Sequence, residues 1–222
     1  MKAWHFVNNT LRDGRPIPPD GVKLIHDGDL VMCESGLHAS KNILDALKYA
    51  PGNVVCRVEV GGKIIKGDDK LVCSERTILW RVDAEDVLRK FARLCALDVI
   101  NLWNAPAVVV DYLKTGNNEI RDAAMAAAMA AARAAARGEA LAITRIGMWN
   151  AGTFSAAGWS AVWSMAANEA WSAAVDAAWG AAWDAKKVEL DSKTFDRMRA
   201  KQSKRLYAMV MHKKRRENNG KN

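Results

Sequence analysis

The sequence predicts an α+β fold in which a small β-rich domain is followed by an all-α, Ala/Trp-rich helical bundle. Two observations support this prediction. Up to residue 82, short stretches of alternating apolar residues are separated by Gly, Pro and Asp, as in β-strands and turns. From residue 83 onward, apolar residues recur with the 3.6-residue period of helices, and alanine dominates residues 117–187. We therefore expect no strand after residue 85.

The β-rich domain, residues 1–82, is predicted to contain five strand regions and one helix. Ser40 is a suitable N-cap for a helix over Lys41–Ala50, which Pro51-Gly52 would end. Gly61-Gly62 is predicted to turn the chain, so that Lys63–Lys66 pairs back on the preceding strand. The predicted strand regions are Lys2–Val7, Val22–Ile25, Leu30–Cys33, Asn53–Val60 and Lys70–Arg81.

The predicted helical bundle occupies residues 83–187. Asp83 can cap a helix whose apolar stripe continues to Trp103, and Pro106 suits the first turn of a short helix that Gly116 ends. Further breaks are predicted at glycines 138, 152 and 158. The Trp side chains between positions 159 and 183 are spaced by multiples of four. They form either the core of one chain or the interface of a homo-oligomer, and the sequence leaves both open.

The net charge of +8 comes from the C-terminal part of the chain. Residues 1–85 carry 12 basic and 12 acidic side chains, and residues 86–185 carry 8 basic and 9 acidic ones. Residues 186–222 carry 13 basic and 4 acidic side chains. Only this last segment is strongly basic, so only it is expected to attract acidic partners by its charge.

Residues 188–216 are predicted to form a basic amphipathic helix, followed by a disordered tail over residues 217–222. Clustered Lys and Arg can neutralise phosphates without reading sequence, so residues 186–216 are predicted to contact nucleic acid or an acidic protein surface. The pattern is equally typical of a solvated helix face that keeps an apolar bundle soluble. The predicted nucleic-acid-binding residues are Arg197, Lys201, Lys204, Arg205, Lys213, Lys214, Arg215 and Arg216.

Cysteine usage and hydropathy indicate a reduced, cytoplasmic protein. The cysteines at positions 33, 56, 73 and 95 form no CxxC pair, so we expect no metal site. The first residues contain no apolar segment typical of a signal peptide. The uncharged stretch Ile146–Asn168 is long enough for a membrane span, but its Ala, Asn and Ser content favours a buried helix pair.

The chain resembles uncharacterised proteins of phage and prophage genomes. Those proteins share a short α+β domain with a G-[LF]-H-A segment, often followed by Ala/Trp-rich helical repeats. Here the segment is Gly36–Ala39, and WSAAVDAAWGAAWDA follows downstream. The resemblance implies a phage-type accessory protein in the host cytoplasm that binds a host or phage macromolecule.

The N-terminal domain is also similar to the ADP-ribosyltransferase fold. A His lies on the first predicted strand, a Gly-led segment is followed by a Tyr thirteen residues later, and a Glu lies on the last predicted strand. This second resemblance implies NAD as the cofactor. The implied catalytic residues are His5, His38 and Glu75, and the implied cofactor-binding residues are Gly36, Ser40 and Tyr49. Each also has a structural interpretation: Ser40 as a helix cap, for example, and Glu75 as an ion-pair partner of Arg57 or Arg76.

Overall fold

The computed structural model describes residues 1–11, 13–98, 100, 104–138 and 192–220, which divide into two compact units. The first, called here the sheet unit, includes Met1–Val87 together with the C-terminal part of the chain from Lys201 onward. The second, the helical unit, includes the described residues 88–98, 100, 104–138 and 192–200. The predicted α+β class is confirmed. Most of the predicted Ala/Trp-rich bundle, including Gly152, Gly158 and its Trp residues, lies outside the described residues.

The sheet unit is built on an antiparallel five-stranded sheet with the strand order β1-β4-β5-β2, in which β3 also pairs with β5. The strands are β1 (Lys2–Val7), β2 (Lys23–Ile25), β3 (Leu37–Ala39), β4 (Val54–Lys66) and β5 (Leu71–Asp83). Alternate residues point to one side of the sheet, so Ala3, Val58 and Ile78 lie side by side in the core. This side is called the inner face below.

The sheet curves round on itself, because Trp4 of β1 also bonds to the residue that follows β3. The Trp4 amide donates to the Ser40 carbonyl over 2.7 Å, and the Ser40 amide donates to the Trp4 carbonyl over 2.9 Å. The other edge of β1 pairs with β4. The inner face is therefore enclosed, and its buried core contains Ala3, Val7, Leu37, Ala39, Cys56, Val58, Val60, Leu71, Cys73 and Ile78.

The predicted turn at Gly61-Gly62 is wrong. Strand β4 continues through both glycines, and its pairing with β5 shifts by one residue between Gly61 and Ile64. Gly62 absorbs the extra residue with a φ of 66°, in the left-handed region that favours glycine. The Ser74 hydroxyl accepts a hydrogen bond from the Lys63 amide over 2.9 Å. A β-bulge thus takes the place of the predicted turn.

Two further local predictions are wrong. Leu30–Cys33 forms no strand, because Cys33 has a φ of 68° and Val31 and Ser35 bond to each other across a tight turn. Ser40 does not cap the first helix, since its backbone amide and carbonyl are hydrogen-bonded to Trp4. The helix α1 (Ile43–Leu47) begins later, and its N-cap is Asn42, whose Oδ1 accepts from the Leu44 amide over 2.8 Å.

The helical unit contains α2 from Leu88 onward, α3 and α4, where α2 is Glu85–Leu97, α3 is Ala107–Thr115 and α4 is Arg121–Gly138. As predicted, Asp83 caps α2 with its carboxylate on the Glu85 amide, and Gly116 ends α3 with a φ of 68°. Small residues dominate the core, whose buried members are Ala96, Val109, Leu113, Ala124 and Ala128. Alanine therefore allows these helices to approach closely.

The C-terminal helix covers Ser192–Asn219, so three residues of the segment predicted to be disordered are helical. Arg and Glu near its end are good helix formers, and cations there complement the helix dipole. No helix in the described parts of the chain combines the length and hydropathy needed to cross a bilayer.

Candidate functional site

The basic C-terminal helix is docked within the sheet unit through an apolar stripe. Leu206 and Val210, four residues apart on one helical face, are both 0% exposed. On the same side the Ser203 hydroxyl donates to Asn42 Oδ1 over 2.6 Å, and Lys213 forms an ion pair with Asp86. The cap of α1 therefore also holds the C-terminal helix. Its position is fixed by burial and by two polar contacts.

An aromatic and cationic cluster lies beside this stripe. The Trp4 ring, on the face of the sheet opposite to the inner face, meets Tyr207 and Trp80 edge-on, each at a centroid distance of 5.8 Å. The Arg57 guanidinium lies 4.5 Å from the centroid of Trp4, and the Lys214 ammonium lies 5.7 Å from the centroid of Trp80. Two predicted nucleic-acid-binding residues, Lys213 and Lys214, thus contact the rest of the unit.

The side of the helix away from the apolar stripe is basic. Lys204 precedes Leu206 by two residues, which places their side chains on opposite sides of a helix. Arg215 follows Lys204 by eleven residues, close to three whole turns, so it lies on the same side about 16 Å further along. Arg216 lies beside it. These three side chains belong to exposed residues, as do Arg197 and Lys201, whereas Arg205 is half-buried.

The sequence-predicted residue His38 lies on β3, with its side chain directed away from the enclosed core. Its neighbours Leu37 and Ala39 are buried in that core, and strand residues alternate between faces. The His38 ring Nε2 accepts a hydrogen bond from the Cys33 amide over 2.9 Å, which places the proton of a neutral ring on Nδ1. The His38 carbonyl accepts from Arg76 Nη1 over 2.5 Å.

The predicted cofactor-binding residue Tyr49 takes part in a polar cluster at the surface. Its hydroxyl donates to Asp69 Oδ2 over 2.8 Å, and Lys48 Nζ donates to the same oxygen over 3.0 Å. Burial alone raises the pKa of Asp69, but hydrogen bonds from Lys48 and Tyr49 and the charges of Lys48 and Lys70 outweigh it and lower that pKa. Asp69 therefore stays ionised and holds Tyr49 in place.

Gly36 and Ser40, also predicted to bind a cofactor, have structural roles in the sheet unit. Gly36 has a φ of 111°, and a Cβ there would collide with Val72 Cγ2. Only glycine fits this position without strain. Ser40 is 2% exposed and forms the backbone bridge to Trp4 described above. Both positions are thus explained by packing and backbone geometry.

Glu75, the third predicted catalytic residue, pairs with Lys23 over 2.8 Å on the neighbouring strand β2. Among the described residues, Glu75 contacts neither His5 nor His38. Glu75 and Arg76 are consecutive strand residues, so their side chains point to opposite sides of β5. Arg76 rather than Glu75 is thus the charged residue near the two histidines: its Nη1 donates to the His38 backbone carbonyl, and its charge disfavours protonation of His5.

His5 shares the inner face with Ala3 and Val7 by strand alternation. Burial lowers the pKa of His5 well below its ordinary value, and the charges of Arg76 and His38 lower it further. The imidazole is thus neutral at physiological pH. The structure brings His5, His38 and Arg76 within electrostatic range of one another.

Sequence reasoning missed Arg76, which is only 4% exposed. A signal was available, since Arg76 lies two residues before the buried Ile78, in the phase of β5 that faces the core. Nearby, burial raises the pKa of the Cys56 thiol to about 12, so this cysteine is no thiolate nucleophile at neutral pH. Within the described residues, no group of three or more His, Cys, Asp or Glu is placed to hold a metal ion.

Comparison with known protein families gave a match for the N-terminal part of the chain. Residues 1–90 match a family model described as a domain of unknown function, DUF7666. The match covers the whole sheet and the start of α2. We found no match to the chain among curated proteins or among solved structures. Since the family description states neither source nor activity, the phage-type and transferase resemblances stay predictions.

Proposed function

We propose that this chain is a binding protein, of the phage-type accessory class that its sequence resembles, and that the outer face of its C-terminal helix contacts nucleic acid. The observation that supports the proposal is the docking of that helix. Leu206 and Val210 are buried on one face of the helix, whereas Lys204, Arg215 and Arg216 are exposed to solvent. A fixed row of cations loses less conformational freedom on binding phosphates than a flexible tail would.

The proposed contact is electrostatic and independent of sequence. Each Lys or Arg that neutralises a phosphate releases counterions, so affinity falls steeply with salt. The spacing of about 16 Å between Lys204 and Arg215 allows them to reach separate phosphates of one backbone. Lys213 and Lys214 contribute less, because Asp86 and Trp80 already engage them within the sheet unit.

Deletion of the helix would be a poor test, because it would also uncover Trp4. We therefore compare the full chain with the triple variant K204Q/R215Q/R216Q. Fluorescence anisotropy with a labelled DNA duplex and a labelled RNA strand, at several salt concentrations, gives both affinity and salt dependence. The slope of log K against log salt should become shallower by about 0.9 for each DNA phosphate that the variant no longer neutralises.

A matched control is K2Q/K63Q/K66Q, which removes the same charge from exposed lysines of the sheet unit. The control should bind as the unmodified chain does. Equal weakening in both variants would mean that total charge, rather than the helix, drives binding. Absence of binding by the unmodified chain at low salt would contradict nucleic acid as the partner and favour an acidic protein surface.

A further inference from the structure

Arg76 is a buried cation that no carboxylate among the described residues neutralises. Its side chain lies on the inner face, where Val60 and Leu24 are its neighbours in register on the two adjoining strands. Nη1 donates to the His38 carbonyl, but Nε has no hydrogen-bond partner in the described part of the chain. The thiols of Cys73 and Cys56 lie nearby, but burial raises the pKa of both, so they are neutral at physiological pH and supply no counter-charge.

Such an arrangement is costly for the protein. A buried polar N–H without a partner costs about 1–3 kcal/mol, and a buried charge without a counter-charge costs more. The neighbouring Arg81 shows the ordinary solution, since it pairs with Asp20 over 2.7 Å and donates to the Pro18 carbonyl over 2.5 Å. Among the described residues, Arg76 therefore lacks the kind of negatively charged partner that Arg81 has.

His5 supplies a second polar group on the same face. Its ring makes no hydrogen bond to any described residue, and it is half-buried rather than fully enclosed. A neutral imidazole carries one N–H donor, which an anion can accept from. His5 is opposite Cys56 on β4 and Arg76 is opposite Val60 on the same strand; Cys56 and Val60 both belong to the inner core, so the two side chains share this face.

We propose that Arg76 and His5 form a binding site for a small oxyanion, a phosphate or carboxylate group, on the inner face of the sheet. The guanidinium presents N–H donors in a planar fork that matches the oxygen atoms of such groups. The oxyanion accepts from Nε and from the imidazole N–H and neutralises the buried charge. Surrounding Val and Ile side chains strengthen this attraction by excluding water. The site is separate from the basic helix and does not depend on its function.

The test uses thermal unfolding of the full chain in increasing inorganic phosphate, in acetate, and in chloride at matched ionic strength. A ligand that binds only the folded state raises the midpoint with the logarithm of its concentration above Kd. We expect this rise in phosphate or in acetate, but not in chloride, and the arm that responds distinguishes the two oxyanions. The R76Q variant should lose the rise, whereas R57Q, altered on the opposite face, should keep it.

General stabilisation by phosphate acts on every variant and cancels in the comparison of R76Q with R57Q. A second measurement needs no variant at Arg76: NMR titration of the His5 ring, assigned with His5→Gln. Bound oxyanion should move its resonances in a saturable manner and shift its titration to higher pH. An equal rise in R76Q and R57Q would overturn the proposal, as would a His5 ring that responds to oxyanions no more than to chloride.

Discussion

At the scale of single residues, the surroundings decide the chemistry of the histidines. The side chains of His5 and His38 point to opposite sides of the enclosed sheet. Arg76 nevertheless affects both residues, because its charge lowers the pKa of His5 and its Nη1 donates to the His38 carbonyl. The sequence allowed both histidines to be predicted as polar site residues. The sequence did not allow Arg76 to be preferred over Glu75 as a site residue. That choice depends on which alternate residues of β5 face inward, and a bulge in β4 changes which ones do.

The lowered pKa of His5 predicts a loss of stability in mild acid. The unfolded chain takes up a proton near the ordinary pKa of about 6.5, while the folded chain does not until a lower pH. Between these two values the unfolded state binds more protons, so the free energy of unfolding falls by up to about 1.4 kcal/mol per pH unit as pH decreases. Urea unfolding at a series of pH values should show that His5→Gln flattens this slope.

His212, exposed on the C-terminal helix, offers a matched control. His212→Gln should leave the acid-dependent slope unchanged. If His5→Gln unfolded with the same pH dependence as the unmodified chain, burial of a neutral His5 would not be the cause of the acid sensitivity.

Gly36 carries a second prediction at this scale. Gly36→Ala should lower the free energy of unfolding by about 2 kcal/mol or more, since the added Cβ is strained by a φ of 111° and collides with Val72. Gly21→Ala is the comparison, because Gly21 has a φ of 86° and open space around it. It should cost about 1 kcal/mol from backbone strain alone. Equal costs in urea unfolding would show that the space around Gly36 can adapt.

At the scale of elements, regular periodicity was a reliable guide and local turn chemistry was less so. Lys2–Val7 forms β1 as predicted, because alternating residues on that strand pack on both faces of the sheet. Gly116 ends α3 as predicted, whereas Pro106 is the N-cap residue before the helix rather than part of its first turn. The errors at Gly61-Gly62 and Leu30–Cys33 have different causes, since the second comes from the left-handed φ of 68° at Cys33. A glycine pair permits a bulge as well as a turn, and the choice is made by the length of the partner strand.

The docking of the C-terminal helix gives the prediction at this scale. Leu206→Ala should lower the free energy of unfolding by about 2–5 kcal/mol, because it leaves a cavity at a side chain that is fully buried. Ala208→Ser, on the exposed side two residues further on, should change it by less than about 0.5 kcal/mol. Urea unfolding followed by circular dichroism measures both. Similar small effects would mean that the helix contributes little to the stability of the sheet unit.

At the scale of the whole molecule, the family match and the compact unit have different boundaries. The match covers residues 1–90, but the sheet unit also includes the chain from Lys201 onward. The sequence predicted the charge of that last helix and its amphipathic pattern. It offered no indication that the apolar side is bound to Asn42 and Trp4, because nothing in a local pattern specifies a partner so distant along the chain.

A truncated chain tests whether the C-terminal helix is part of the folded sheet unit. A chain ending at Lys187 should unfold at lower temperature than the full chain, since Trp4 loses Tyr207 and the apolar groups that meet Leu206 and Val210 become exposed to water. Thermal unfolding by circular dichroism measures the difference. A truncated chain with an unchanged midpoint would show that the sheet is stable without its C-terminal partner.

The hydrogen bond from Ser203 to Asn42 spans 161 positions of the chain. On a ribosome that adds about 5–20 residues per second, the nascent sheet would therefore wait roughly 10–30 s for the helix that covers it. During that interval the Trp4 side of the nascent sheet is open to chaperones and to other nascent chains. The order of synthesis thus delays completion of the first domain until the helix that carries Ser203 has been made.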